Sequence, residues 1–454
     1  MRLRVSLGAV LLSGLLTVGG CSSLPASAPS PSVNSAVQQE IDCQKAVANL
    51  VAAVRDRVAA YDTVASSASP SAGVPTPSFS NPSATIPVPL PSDSAASGSP
   101  QPSSGQTAQL DPLLEAVTTA RDLMTQQKCL QTTFSDELKS GLETIQATGA
   151  IAKAVLGRIS ATLLGQAGQA DETKAVWPTQ DLAQAIDRAG AGATIELQAG
   201  TYRVSDSLVL LDGVTIKGVG RGKTILRSTA PDAAVVVATA STVEFDGLSL
   251  MLDSTVPASG ILTGPDAQVV LSGVRISGAV SASGQGGAGV QMSAASNQPA
   301  STRTTLQVTG SQFDHNAWAG IALSGGHRVS IETSSFSNNQ QCGICFLDSS
   351  SGSVEKSTFT DNAVGVGITG SARPTLLSST ITGGSVGVQV AGAAAPILEK
   401  VTISGAGRAG AIFSGTSSGG LTQVTCTNNA YDIAIASTAA PSIGQTNCKL
   451  VAGK

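Results

Sequence analysis

The apolar and polar positions of this chain fall into a short unit that repeats. Phe313, Phe336, Phe359, Ile381, Ile403 and Cys426 succeed one another at steps of 23, 23, 22, 22 and 23 residues. Gly320, Gly343, Gly365, Gly387 and Gly410 keep the same time at steps of 23, 22, 22 and 23, each preceding a short apolar run such as Ile321 to Leu323 or Ile344 to Phe346. A fixed period of about 20 to 50 residues is the mark of a solenoid. Units this short have no room for helix pairs and show no 3.6-residue apolar period. They hold β-branched runs such as Val274-Arg275-Ile276 and Val401-Thr402-Ile403, separated by Gly, Ser, Asn and Asp, which is strand and turn chemistry. The pattern predicts coils of short strands stacked in parallel.

Asn316, Asn339, Asn362 and Asn429 each fall three residues after an anchor position. Stacked at the strand spacing of about 4.8 Å, their amides can bond to one another and to the turn backbone, so the column reads as a structural ladder. Ahead of the repeats come an amphipathic segment, Thr179 to Asp187, and the short runs 192–197, 200–203 and 214–218.

On these residues the chain, from about Val176 to Cys448, resembles the right-handed parallel β-helix, or pectin lyase-like, superfamily. The resemblance implies a mainly β, single-stranded solenoid whose first coil is plugged by the short helix. It leaves activity open, because the superfamily hosts lyases, hydrolases, esterases, epimerases and plain binders. The pectate lyase type implies clustered aspartates and an arginine base on neighbouring coils, and that cluster is not found here. The polygalacturonase type implies paired aspartates, a Gly-His-Gly and an Arg-x-Lys, against which this chain offers only Gly325-Gly326-His327-Arg328.

Arg2 and Arg4 precede the apolar run Val5 to Val18, which ends in Val18-Gly19-Gly20-Cys21. Small residues before a cysteine resemble the lipobox of bacterial lipoproteins, which implies removal of 1–20, acylation of Cys21 and a lipid-anchored chain on the extracytoplasmic face of a cell membrane. A plain secretory signal and a bare membrane anchor are the alternatives. After a tether, 21–34, a helix is expected over 35–61, with Val47, Leu50, Val51, Val54, Val58 and Tyr61 on one face. Residues 62–107 are Ser, Pro, Ala and Gly with almost no charge, a low-complexity linker that cannot bury a core. Helical spacing resumes over 108–170 at Leu110, Leu113, Leu114, Val117 and Met124, then at Leu138, Leu142 and Ile145. These segments predict a small helical hairpin or stalk before a β-helix spanning 175–450.

An oxidising compartment fits the cysteines. Seven minus Cys21 leaves six, which allow 15 pairings. Position suggests Cys43 with Cys129, Cys342 with Cys345, and Cys426 with Cys448, the last separated by 22 residues, one coil. Cys342-Gly343-Ile344-Cys345 has the spacing of a redox motif but no surrounding βαβ pattern, so a structural bridge or two buried thiols is the plainer reading.

Net charge is -4 and charged residues are 12% of the chain, with aromatics at 3%. Without a basic patch carrying interleaved aromatics, nucleic acid is not expected as a partner. His315 and His327 are the only histidines, which excludes a histidine-rich metal site, and no cofactor is expected. The nearest thing to a catalytic site is the column two residues after each anchor, where His315, Asn338 and Asp361 fall on consecutive coils beside Asp314. A hydrated turn accounts for the same residues. Trp318, Gln341, Arg408 and Tyr431 share the column five residues after the anchor and are candidates for a shallow sugar-binding platform, or for packing against a turn. Residues 281–304 interrupt the period as a Gly, Ser and Ala loop, with Gln285, Gln291, Asn297 and Arg303 as its possible ligands. Two function classes result. One is non-catalytic binding of glycan or of an envelope protein along the solenoid, or a structural scaffold; the other is a polysaccharide lyase or glycoside hydrolase.

Overall fold

The computed structural model describes residues 33–66, 112–125, 131–164, 171–264, 266–292 and 304–452. From Asp171 to Ala452 the chain winds as a right-handed parallel β-helix. Three sheets run along it, here named A, B and C, with 12, 10 and 11 strands, each strand pairing with its counterparts one coil away. One coil illustrates all. Arg328–Glu332 lies in sheet A, Ser335–Ser337 in sheet B and Cys342–Phe346 in sheet C. The corner between A and B is turned by Thr333 at φ 49°, and that between B and C by Asn338 at φ 54°.

The interior explains the period. Phe313, Phe336 and Phe359 stack with ring centroids 5.0 and 4.9 Å apart, and Ile381, Ile403 and Cys426 continue their column. The glycine column faces these rings. A β-carbon on Gly343 would stand 2.6 Å from the carbonyl oxygen of Gly365 and 2.6 Å from Cδ1 of Phe359, so a side chain there collides with the next coil.

The asparagine ladder forms as the sequence predicts. Asn316 Nδ2 donates to Asn339 Oδ1 at 2.9 Å, and Asn339 Nδ2 to Asn362 Oδ1 at 2.8 Å, while each oxygen also accepts a backbone N–H of the preceding coil. Asn429 holds its own corner by accepting from Ala406 N and donating to Ile403 O. A second ladder, of serine, lies at the corner between A and B: the backbone N–H groups of Ser311, Ser334 and Ser357 donate to the hydroxyls of Ser334, Ser357 and Ser379, each at 3.2 Å. Both ladders satisfy corner amides that burial would otherwise orphan.

At the N-terminal end the helix Leu182–Arg188 turns Leu182 and Ile186 into the solenoid core, and Asp181 caps it by accepting from Gln184 N at 3.1 Å. Four longer helices precede it: α1 (Val33–Ser66), α2 (Pro112–Thr125), α3 (Gln131–Glu143) and α4 (Ala150–Leu163). The helix predicted over 35–61 thus starts two residues earlier and runs five residues into the expected linker. Its stripe from Val47 to Tyr61 is buried, as are Leu113, Val117, Leu138, Leu142 and Ile145. Asp62 of α1 caps α4 from across the bundle, its Oδ1 accepting from the backbone N–H groups of Thr148 and Gly149 at 3.0 and 2.8 Å.

The helices are not a free-standing stalk. Their core is continuous with Val209, Leu211, Ala233, Val236, Ala238 and Leu262 on the outer face of sheet C. Arg57 Nη1 donates to Ala238 O at 3.3 Å, and Arg158 pairs with Asp187 at 2.8 Å. The helical region expected before the β-helix is present, and it packs on the solenoid because those sheet C strands are apolar on both faces and the bundle covers the outer one.

The expected loop over 281–304 is also not one loop. A small hairpin, Ser281–Ala282 with Gln285–Gly286, is followed by Ala288–Met292, which pairs within sheet C. Gln291 is buried there and accepts from Ser259 Oγ at 2.7 Å, so it is no ligand. Asn297 and Arg303 lie outside the described residues. Cys342 pairs with Cys345 and Cys426 with Cys448. Cys43 is disulfide-bonded, and Cys129, its expected partner, lies outside the described residues. So do Cys21, residues 1–20, which the sequence predicts to be a signal segment, Leu110 and most of the Ser/Pro-rich linker.

Candidate ligand-binding face

The column of His315, Asn338 and Asp361 is the corner between sheets B and C. Its residues have φ of 55°, 54° and 52°, and the column continues with Gly383 at 73°, Gly405 at 70° and Asn428 at 57°. Left-handed backbone favours Gly, Asn, Asp and His, so local geometry accounts for the residue types. The side chains do not converge. His315 Nδ1 lies 2.8 Å from Asp314 Oδ2 on its own coil, whereas Asp361 leans over Gly383 of the following coil.

Asp314 is committed to a structural pair. Its carboxylate is 2% exposed and accepts from Arg275 Nε and Nη2 at 2.8 and 2.6 Å and from Ser277 Oγ at 3.2 Å. Burial pushes its carboxyl up, and the bonds from Arg275, His315 and Ser277, with the arginine charge, outweigh that and hold it below the ordinary value. The Arg275 guanidinium is correspondingly raised by its bond to Asp314. Three of these contacts, from Arg275 Nη2, Ser277 and His315, converge on Oδ2, and Arg275 Nε holds Oδ1.

The aromatic platform is corrected as well. Trp318 is 5% exposed and packs among Ala288, Ala319, Ala322 and the Cys342–Cys345 bridge, leaving no free ring face. Tyr431 is half-buried against Val386, Ala409, Ile412 and Ala434. Gln341 and Arg408 are half-buried in the same column. The outer face of sheet C is a packing surface, and Trp318 and Tyr431 lie against it.

Sheet A offers what neither column does. On its outer face Gln307, Ser330, Ser353 and Thr375 stand in one column that continues to Ile397, which is 52% exposed. Arg328, Ser351 and Arg373 form the column beside it. Between them lies a shallow trough of ≈ 380 Å³ floored by Ser330, Gly352 and Ser353. The far edge carries Glu332 and Glu355, one coil apart, with Lys356 Nζ 3.6 Å from the first and 2.7 Å from the second. The Lys356 ammonium is raised by its hydrogen bond and attraction to Glu355, and then by Glu332. Donors and acceptors on a small-residue floor, with cations on one edge, suit a polyhydroxylated chain lying across the strands. The sequence hides this face, since its residues are spread over coils and none forms a local motif. Their common offset from the anchor column is the signal that could have found them.

No curated protein matches the chain. Residues 233–395 and 319–452 match a family model described as right handed beta helix region. Among solved structures the chain is similar to the Agl-KA catalytic domain, at 12% identity and TM-score 0.36 over 55% of this chain and 62% of that one. It is also similar to ORF18 of Geobacillus virus E2, at 10% identity and TM-score 0.43 over 67% and 66%, and to the pectate lyase Pel9A, at 12% and 0.39 over 63% and 79%. The chain spans less than two thirds of the length of the first two. At such identities the likeness is one of fold.

Proposed function

We propose that this chain is a lipoprotein held through Cys21 at the extracytoplasmic face of a cell membrane, and that its β-helix binds an extended glycan across sheet A without cleaving it. The observation that carries this reading is the trough, lined by the Gln307 amide, the Ser330, Ser351 and Ser353 hydroxyls and Arg328, with Arg373 one coil beyond Ser351 in the column of Arg328. Arg328 and Arg373 are two coils apart, about 9.6 Å by the strand spacing, a separation that favours a polymer over a small ligand. Retention of the full-length protein on immobilised polysaccharides tests it. The double variant Arg328→Ala, Arg373→Ala is expected to elute early, and equal retention of variant and parent overturns the reading.

A second reading, a glycoside hydrolase, rests on Glu332 and Glu355. Paired carboxylates about 5 to 9.5 Å apart are the requirement for hydrolysis. Against it, Glu332 is exposed, Glu355 is half-buried and the two share one lysine, whereas a general acid is normally set in an apolar pocket.

A further inference from the structure

We infer that the outer face of sheet B is an ice-binding surface. From Ser335 to Thr427 its five strands read Ser-Phe-Ser, Thr-Phe-Thr, Thr-Ile-Thr, Thr-Ile-Ser and Thr-Cys-Thr. The middle residue of each points into the core, and the flanking ones point out. Register aligns the outer residues into two unbroken columns, 335–358–380–402–425 and 337–360–382–404–427. All ten are Ser or Thr, and Thr358, Thr360, Thr380, Thr382, Thr425 and Thr427 are exposed.

Three properties distinguish this face from ordinary solvated sheet. The first is regularity: the five strands pair in unbroken register, and the Phe336 and Phe359 rings directly behind the first two stack 4.9 Å apart with their planes 10° from parallel. The hydroxyls therefore form a regular grid of about 4.8 Å across strands by about 6.6 Å along them, some 19 Å long (about four strand steps). Water oxygens on the prism plane of hexagonal ice likewise repeat in two perpendicular directions with a short and a long period.

The second is charge. No ionisable side chain stands in either column over five coils, whereas the outer face of sheet A in the same coils carries Arg328, Glu332, Glu355, Arg373 and Glu399. A neutral face complements an uncharged lattice, and neither an anionic polymer nor a lipid surface. It also lacks the aromatic residues and arginines that anchor protein interfaces.

The third is free bonding capacity. Thr382 Oγ1 and Ser404 Oγ lie 3.3 Å apart, and they are the only two of the ten hydroxyls with a bond inside the protein. The serine ladder one corner away is by contrast satisfied internally. Threonine χ1 is restricted by its branched β-carbon, so the hydroxyl and methyl pair is ordered in advance and a rigid lattice costs it little further entropy.

The test is growth of a single ice crystal in a solution of the full-length protein, with freezing and melting points read on the same crystal. The parent protein is expected to facet the crystal and to open a gap between the two temperatures. Thr360→Lys and Thr382→Lys should each abolish both effects, and Thr309→Lys, on the outer face of sheet A, should abolish neither. Thermal melting of all four proteins separates loss of the surface from loss of the fold. Rounded crystals with the parent, faceting undiminished in Thr382→Lys, or adsorption to crystalline cellulose with ice growth unaffected would each overturn the inference.

Discussion

The hydroxyl of Tyr61, on helix α1, fills the space where a β-carbon at Gly264 would project, and it donates to the carbonyl of Val237 at 3.4 Å. A residue near the start of the described chain is thus fitted to a backbone site some two hundred residues later, and the fit seats the bundle on sheet C. Gly264→Ala has no room unless Tyr61 moves. Overpacking of this kind typically costs about 1–3 kcal/mol. The cost is expected to fall on docking, so limited proteolysis should release the helical region from Gly264→Ala sooner than from the parent, with the β-helix left intact.

Two other glycines should respond in opposite directions. Gly343→Ala forces contact with Gly365 and Phe359 in the next coil and is expected to destabilise by about 1–3 kcal/mol. Gly157 lies inside helix α4 with nothing within 4 Å of a β-carbon, so Gly157→Ala is expected to stabilise by about 0.5–1 kcal/mol. Urea midpoints of the two variants, measured side by side, check the pair.

Asn339 is 1% exposed and bonded to coils on both sides. Asn339→Ala removes the acceptor of Asn316 Nδ2 and of the Asn316 backbone N–H, and should cost about 1–3 kcal/mol for each group left buried without a partner. Calorimetric melting should show the loss, and hydrogen exchange should place it at the amides of Asn316 and its neighbours.

Much of this was legible beforehand. The anchor column and the glycine column gave the coil length, because packing against an identical neighbour repeats the same steric demand. Asparagine showed as a ladder because its amide is distinctive, whereas the serine ladder at 311, 334, 357 and 379 passed for turn composition. Docking of the bundle has a signal in the sequence too: Leu208 to Leu211 and Ala233 to Ala238 are continuous apolar runs, not alternating ones, which marks strands buried on both faces. The Arg275–Asp314 pair joins residues 39 apart across coils of unequal length, so the period did not align them. Trp318 misled because exposure cannot be read from spacing alone.

The Asp314 pair also sets a pH dependence. Its folded pKa lies below the 3.8 of an unperturbed aspartate, so its contribution to stability is fully present above about 3.8 and is lost as pH falls through the folded value. Arg275→Ala is therefore expected to lower the urea midpoint clearly at about pH 7, and the gap from the parent should narrow at about pH 2.5. A gap of constant size across that range would show that the arginine acts by packing and not by charge.

The most direct test of the central claim is to incubate the protein with neutral and acidic polysaccharides and follow both retention and the release of reducing ends or unsaturated uronates. A binding β-helix predicts retention that depends on Arg328 and Arg373, with no release from any substrate. Release that disappears in Glu332→Gln or Glu355→Gln would contradict it and make the far edge of sheet A a catalytic centre.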